Sequence, residues 1–166
     1  AVLGHESVPH YNSLTPEQRE EWTQYLAQRF MKPKSEVTKT DFERANSWKW
    51  PSLIWTALDA GLRPQEVGRA KVSWVDAERS LLRIPSEDAV KNDKRWKVGL
   101  QERTGTILAK WVDERETYEK YAETDLLWVT KYGNPYGSQA LNRRFRTLCD
   151  EAGIDRSNRD LSWYSI

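Results

Sequence analysis

The stretch Thr56-Ala57-Leu58-Asp59-Ala60-Gly61-Leu62-Arg63-Pro64-Gln65-Glu66-Val67 decides how the rest of the chain is read. Leu53, Ile54, Ala57 and Leu58 form a helical apolar stripe that stops at Gly61. Glycine ends helices because it takes positive φ without a Cβ penalty. Pro64 suits the first turn of the next helix, where its fixed φ is already helical and its missing N–H costs nothing. Arg63 is thereby predicted on a tight helix–helix corner, with Leu62 and Val67 as apolar anchors on either side. A guanidinium held there can receive an anion such as phosphate through parallel N–H donors. It can equally tie the corner together by pairing with Glu66 or a carbonyl.

The chain has 166 residues, enough to bury one sizeable core, so a single domain is the default. No run approaches the roughly 18 apolar residues of a membrane span, and the N-terminus lacks the basic-then-apolar layout of a secretory signal. Cys149 is the only cysteine. It excludes an intrachain disulfide and fits a reducing, cytoplasmic setting. The net charge is only +1, so a nucleic-acid footprint has to be a local patch. Lys131, Arg143, Arg144, Arg146, Arg156 and Arg159 give the C-terminal part that bias. Nine tryptophans are many for this length. Trp22, Trp55, Trp74, Trp111 and Trp128 sit in apolar periods and are expected in the core. Trp48 and Trp50 flank Lys49 and stay candidates for contact with a partner.

Residues 1–13 have no period and are expected as a tail or linker. Thr15, Pro16 and Gln18 form a capping box with proline at the first helical position, opening a helix whose inner face is Trp22, Tyr25, Leu26 and Phe30. Thr40 and Glu43 are expected to cap a second helical region, which Pro51 should kink or divide. Beyond Arg63 the period shortens. Residues 72–76, 80–85 and 96–100 are predicted as strands, joined by an Asp76–Arg79 turn and a polar, charged segment from Pro85 to Arg95. Helix returns over 102–119, with Ile107, Leu108, Trp111, Val112 and Arg115 on one stripe. A short apolar run (126–129) and a glycine-proline turn (132–137) follow. Ser138 is expected to cap a helix to Ala152 with Gly153 as C′. The last residues begin another helix of about one turn, so the sequence is expected to be a fragment.

Arg63 on its corner, Lys91 in the strand-to-strand link and Tyr164 at the end now stand in a meaningful order. Ala60-Gly61-Leu62-Arg63 with Glu66-Val67 resembles the Thr-Gly-Leu-Arg corner and Glu-Leu pair of the tyrosine recombinases, also called the phage integrase family. Val90-Lys91-Asn92-Asp93-Lys94 leading to Val98-Gly99-Leu100 is similar to that family's lysine hairpin, with Lys94 as the fallback for Lys91. Leu126-Leu127-Trp128, Gly133-Asn134-Pro135 and Ala152-Gly153-Ile154 match its late segment. Leu161-Ser162-Trp163-Tyr164-Ser165-Ile166 matches the start of its His-x-x-Arg box, with Tyr164 at the histidine position, a substitution that looks closest to archaeal members.

The resemblance implies a mostly helical α+β catalytic domain over 14–166, with a small antiparallel three-stranded sheet, C-terminally incomplete. It also implies a site-specific recombinase or integrase that cuts and rejoins double-stranded DNA through a 3′-phosphotyrosyl link. Arg63 would be half of an arginine clamp on the scissile phosphate. Lys91 would protonate the leaving 5′-oxygen, and Tyr164 would donate a hydrogen bond to a phosphate oxygen. The second arginine and the tyrosine nucleophile would lie beyond Ile166, so these residues alone are expected to be inactive. The full-length protein would act as a tetramer on DNA, with a monomer as the state open to the fragment. No metal or other cofactor is implied. Glu87-Asp88 and Asp150-Glu151 read as solvated pairs with no third ligand, and His5 and His10 lie in the tail. The alternative from another class is a non-catalytic DNA-binding or regulatory protein that keeps the same fold.

Overall fold

A computed structural model describes residues 8–88, 96–157 and 161–163. Local sequence rules account for most of its elements. α1 (Pro16–Arg29) starts where Thr15 and Gln18 exchange side-chain hydrogen bonds with each other's backbone N–H, at 3.3 and 3.0 Å. α2 (Lys39–Ala45) begins two residues earlier than expected. The Asp41 carboxylate accepts from Thr38 N at 2.9 Å, so the pair Thr38 and Asp41 opens the helix, not Thr40 and Glu43. α3 (Lys49–Ala60) is separate from α2, and Pro51 lies within its first turn, where a missing N–H is harmless.

After α3 come α4 (Pro64–Arg69) and a sheet in the order β1 (Val75–Asp76), β2 (Leu81–Ile84), β3 (Trp96–Gly99). Both pairings are antiparallel, with Val75 opposite Leu82 and Ile84 opposite Trp96. The first strand is shorter than predicted because Val72–Trp74 is a 3-10 turn. That turn lets the buried Trp74 ring donate from Nε1 to Asp88 at 3.0 Å. α5 (Glu102–Arg115) stops before the expected 119, giving way to a short 3-10 turn at Glu119–Tyr121. α6 (Ser138–Glu151) is capped by Gly137, with Ser138 already helical, and Gly153 follows at φ 72°.

The main core joins α3, α4, the sheet, α5, the run 127–129 and α6, with Trp74, Trp111 and Trp128 fully buried in it. Each ring N–H finds an acceptor, as buried indoles require. Trp111 donates to the Leu127 carbonyl (2.8 Å) and Trp128 to Ser52 Oγ (3.0 Å). Trp22 and Trp55, expected inside, are only half-buried. Trp48 and Trp50 pack against the edge of this core.

A smaller core corrects the reading of the N-terminus. Val8 is buried with Leu14, Leu26, Phe42 and Ala45, and its backbone N–H and C=O pair with the Asn46 amide at 2.8 and 2.7 Å. Residues 8–13 are therefore seated on α2 and are not a loose tail. Among the described residues no helix is long and apolar enough to cross a membrane.

α4 and the turn before α6 touch so closely that only glycine fits between them. A Cβ on Gly68 would stand 2.8 Å from the Tyr136 carbonyl oxygen. Gly68→Ala is expected to lower stability by about 1–3 kcal/mol, read as a shifted urea midpoint at unchanged slope. An unshifted midpoint would mean that the turn gives way freely.

Candidate active site

Gly61 takes φ 62° and ψ 39°, turning the chain sharply enough for Leu62 to dive into the core while Arg63 stays exposed. Val67 is fully buried on the other side, as expected. The carboxylate of Glu66 accepts from the Arg63 backbone N–H at 2.7 Å and is itself almost wholly buried. Glu66 is spent on the main chain, and among the described residues the guanidinium forms no ion pair. The corner therefore holds Arg63 by its backbone and leaves its side-chain donors on the surface.

The other end of the chain comes to the same corner. Trp163 is 2% exposed, and its ring N–H donates to the carbonyl of Leu62 at 2.8 Å. Its backbone N–H donates to Asn142 Oδ1 on α6 at 2.6 Å. Trp163 and Asn142 were missed as site-forming residues. Trp163 reads as an ordinary apolar position, and nothing local names an acceptor 101 residues away.

The link between β2 and β3 is pinned at its first end. Asp88 receives Lys71 Nζ at 3.1 Å and Trp74 Nε1 at 3.0 Å, so the expectation of a solvated Glu87-Asp88 pair fails for Asp88. Burial pushes its carboxyl pKa up, but the donors from Trp74 and Lys71 outweigh this and hold it below the usual range. Lys91, its fallback Lys94, Tyr164 and Arg159 lie outside the described residues.

The expected basic patch is partly dissolved by its own contacts. Arg156 is engaged by Asp150 through two bonds of 2.8 and 2.9 Å. Arg144 is half-buried against the Trp50 ring, 4.9 Å from its centroid. Asp150 is therefore paired rather than simply solvated, and Glu151 is half-buried. Among the described residues of that patch, Lys131, Arg143 and Arg146 remain exposed. The two arginines project within about 100° of Asn142 around α6, both on the same side of it, so they lie beside the Trp163 contact.

A profile of the phage integrase family matches residues 28–162. Among solved structures the chain is similar to XerA recombinase at a TM-score of 0.60 and 19% identity, over 92% of this chain and 66% of that one. It is similar to XerH site-specific recombinase, bound to difH substrate in a pre-cleavage complex, at a TM-score of 0.54 and 20% identity, over 96% and 41%. It is also similar to the Tn1549 transposon integrase in complex with a circular intermediate DNA, at 0.54 and 14%, over 92% and 49%. The chain thus spans only part of each of these longer proteins, and identities this low speak for the fold. No curated protein matched the sequence.

Proposed function

The chain belongs to the phage integrase family, and from that premise we propose that it is catalytic-domain sequence of a site-specific DNA recombinase. Such a protein cuts and rejoins duplex DNA through a 3′-phosphotyrosyl intermediate. The observation that carries this reading is the bond from Trp163 to the Leu62 carbonyl. It seats the residue before Tyr164 on the residue before Arg63, as a shared phosphate site needs. Two of the similar structures are bound to DNA, which supports duplex DNA as the partner.

In this mechanism the attacking tyrosine displaces the 5′-oxygen at phosphorus, and negative charge gathers on the non-bridging oxygens. Arg63 offers two parallel donors to that charge. Lys91 gives its proton to the departing oxygen. Tyr164 donates a hydrogen bond to a phosphate oxygen, a role open to a phenol, which makes a poorer base than imidazole. The second arginine and the nucleophile are expected beyond Ile166, and the active assembly on DNA is a tetramer. The archaeal affinity rests on Tyr164 alone.

A suicide duplex that traps covalent intermediates tests the reading. A polypeptide that continues through the second arginine and the nucleophile should give a protein–DNA band on a denaturing gel. Residues 1–166 alone should give none, and an adduct on them would overturn the assignment. Those residues should still bind duplex with little sequence preference and with steep salt dependence. Replacing Arg143 and Arg146 by glutamine should flatten the slope of log K against log salt by roughly 2. An unchanged slope would remove both from the DNA face.

A further inference from the structure

A cavity of about 400 Å³ opens between α1, α2, the start of α3 and the end of α6. Arg29, Arg44 and Arg144 line it from three different helices, against a single acid, Glu151. Arg144 and Asn142 project about 200° apart around α6, so this cavity faces away from the Trp163 contact. The arginines are held by aromatic rings: Arg44 lies 4.2 Å from the Phe30 centroid and Arg144 4.9 Å from that of Trp50. A stacked guanidinium keeps its in-plane donors, and two of these are unpaired here. Arg29 Nη1 and Arg144 Nε are buried without a hydrogen-bond partner among the described residues. Arg44 pairs with Asp41 at 3.5 Å, but none of the three arginines forms an ion pair with Glu151. Burial and the charges of Arg44 and Arg29 draw Arg144 below its ordinary pKa, with Glu151 opposing.

Like charges lining one space are costly unless something negative offsets them. We propose that this cavity is a second anion site, which takes one oxyanion, phosphate or carboxylate, between Arg29 and Arg144. It is separate from the scissile-phosphate site and does not depend on it.

Calorimetric titration and thermal unfolding with sodium phosphate, sodium glutarate and sodium chloride at matched ionic strength test it. Saturable binding and a raised Tm are expected with phosphate or glutarate and not with chloride. Arg144→Met keeps the stem on Trp50 and removes the charge. It should weaken oxyanion binding by about tenfold or more, yet leave Tm unchanged or higher in oxyanion-free buffer, because repulsion is relieved. Arg29→Met reads the same two quantities should Arg144→Met not fold. Displacement of phosphate by a short duplex would identify the oxyanion as a DNA backbone phosphate, and its absence a free ion; either keeps the site. An equal response to chloride would overturn the proposal. So would a methionine variant that loses stability but binds phosphate like the parent, since that describes a structural arginine.

Discussion

Arg63→Ala, placed in a polypeptide that carries the second arginine and the nucleophile, should slow single-turnover strand cleavage by roughly 100- to 1,000-fold. That is the cost of about 3–4 kcal/mol for losing one preorganised donor to a transition-state oxygen. Duplex affinity should change little, because many other contacts share the work of holding DNA. The corner makes the experiment clean. Glu66 binds the backbone N–H of residue 63, so alanine leaves that bond intact. Lys91→Ala should also slow cleavage, but a substrate with sulfur in place of the 5′-leaving oxygen should restore much of its rate, since sulfur needs little protonation. Arg63→Ala should not be restored. Equal rescue of both would mean the general acid is misassigned, with Lys94 the next residue to test.

Arg115→Met should cost about 3–4 kcal/mol of folding stability, the range for breaking a buried charged network. Arg115 is 2% exposed, and its Nη2 donates to the carbonyls of Thr124 and Leu126, both at 2.8 Å. Its Nη1 pairs with Glu116, its Nε is buried without a hydrogen-bond partner among the described residues, and the guanidinium lies 4.8 Å from the Tyr121 centroid. Methionine fills the volume but leaves two carbonyls without a donor. The loss should propagate, because Asp125 accepts from Val72 and Leu127 donates to Ala70, each at 2.8 Å. Those bonds hold the end of α4, whose start carries Arg63. Urea unfolding measures the loss, and a value under about 1 kcal/mol would show that water replaces the guanidinium.

Features written within a few neighbouring residues were legible. Thr15, Pro16 and Gln18 marked the start of α1, and Gly61, Arg63 and Pro64 marked the corner, because each rule spans a single turn. α2 was misread by two residues because Thr38 with Asp41 and Thr40 with Glu43 offer the same spacing. The choice falls to Asp41, which is buried and paired with Lys32 on the preceding segment at 2.5 Å. Val8 looked like tail because its anchor, Asn46, is 38 residues away. Of the candidate site, the corner that exposes Arg63 was readable from its own turn, while its role as a phosphate clamp stands as a proposal. The roles of Lys91 and Tyr164 came from resemblance and stand as proposals. The Arg29, Arg44 and Arg144 cavity was invisible, since three helices supply one charge each.

The bond between Trp163 and Leu62 also sets an order of events in time. During synthesis at about 5–20 residues per second, the corner leaves the ribosome several seconds before the tryptophan that completes it, 101 residues later. Until then the Leu62 carbonyl lacks its closing partner, and the loop that must shut spans 101 of the 166 residues, with the closure entropy that such a length carries. The corner that carries Arg63 is therefore completed only after Trp163 has been made. A growing chain holds Arg63 without the backing that steadies its corner, and that backing arrives when the Trp163 ring docks on Leu62.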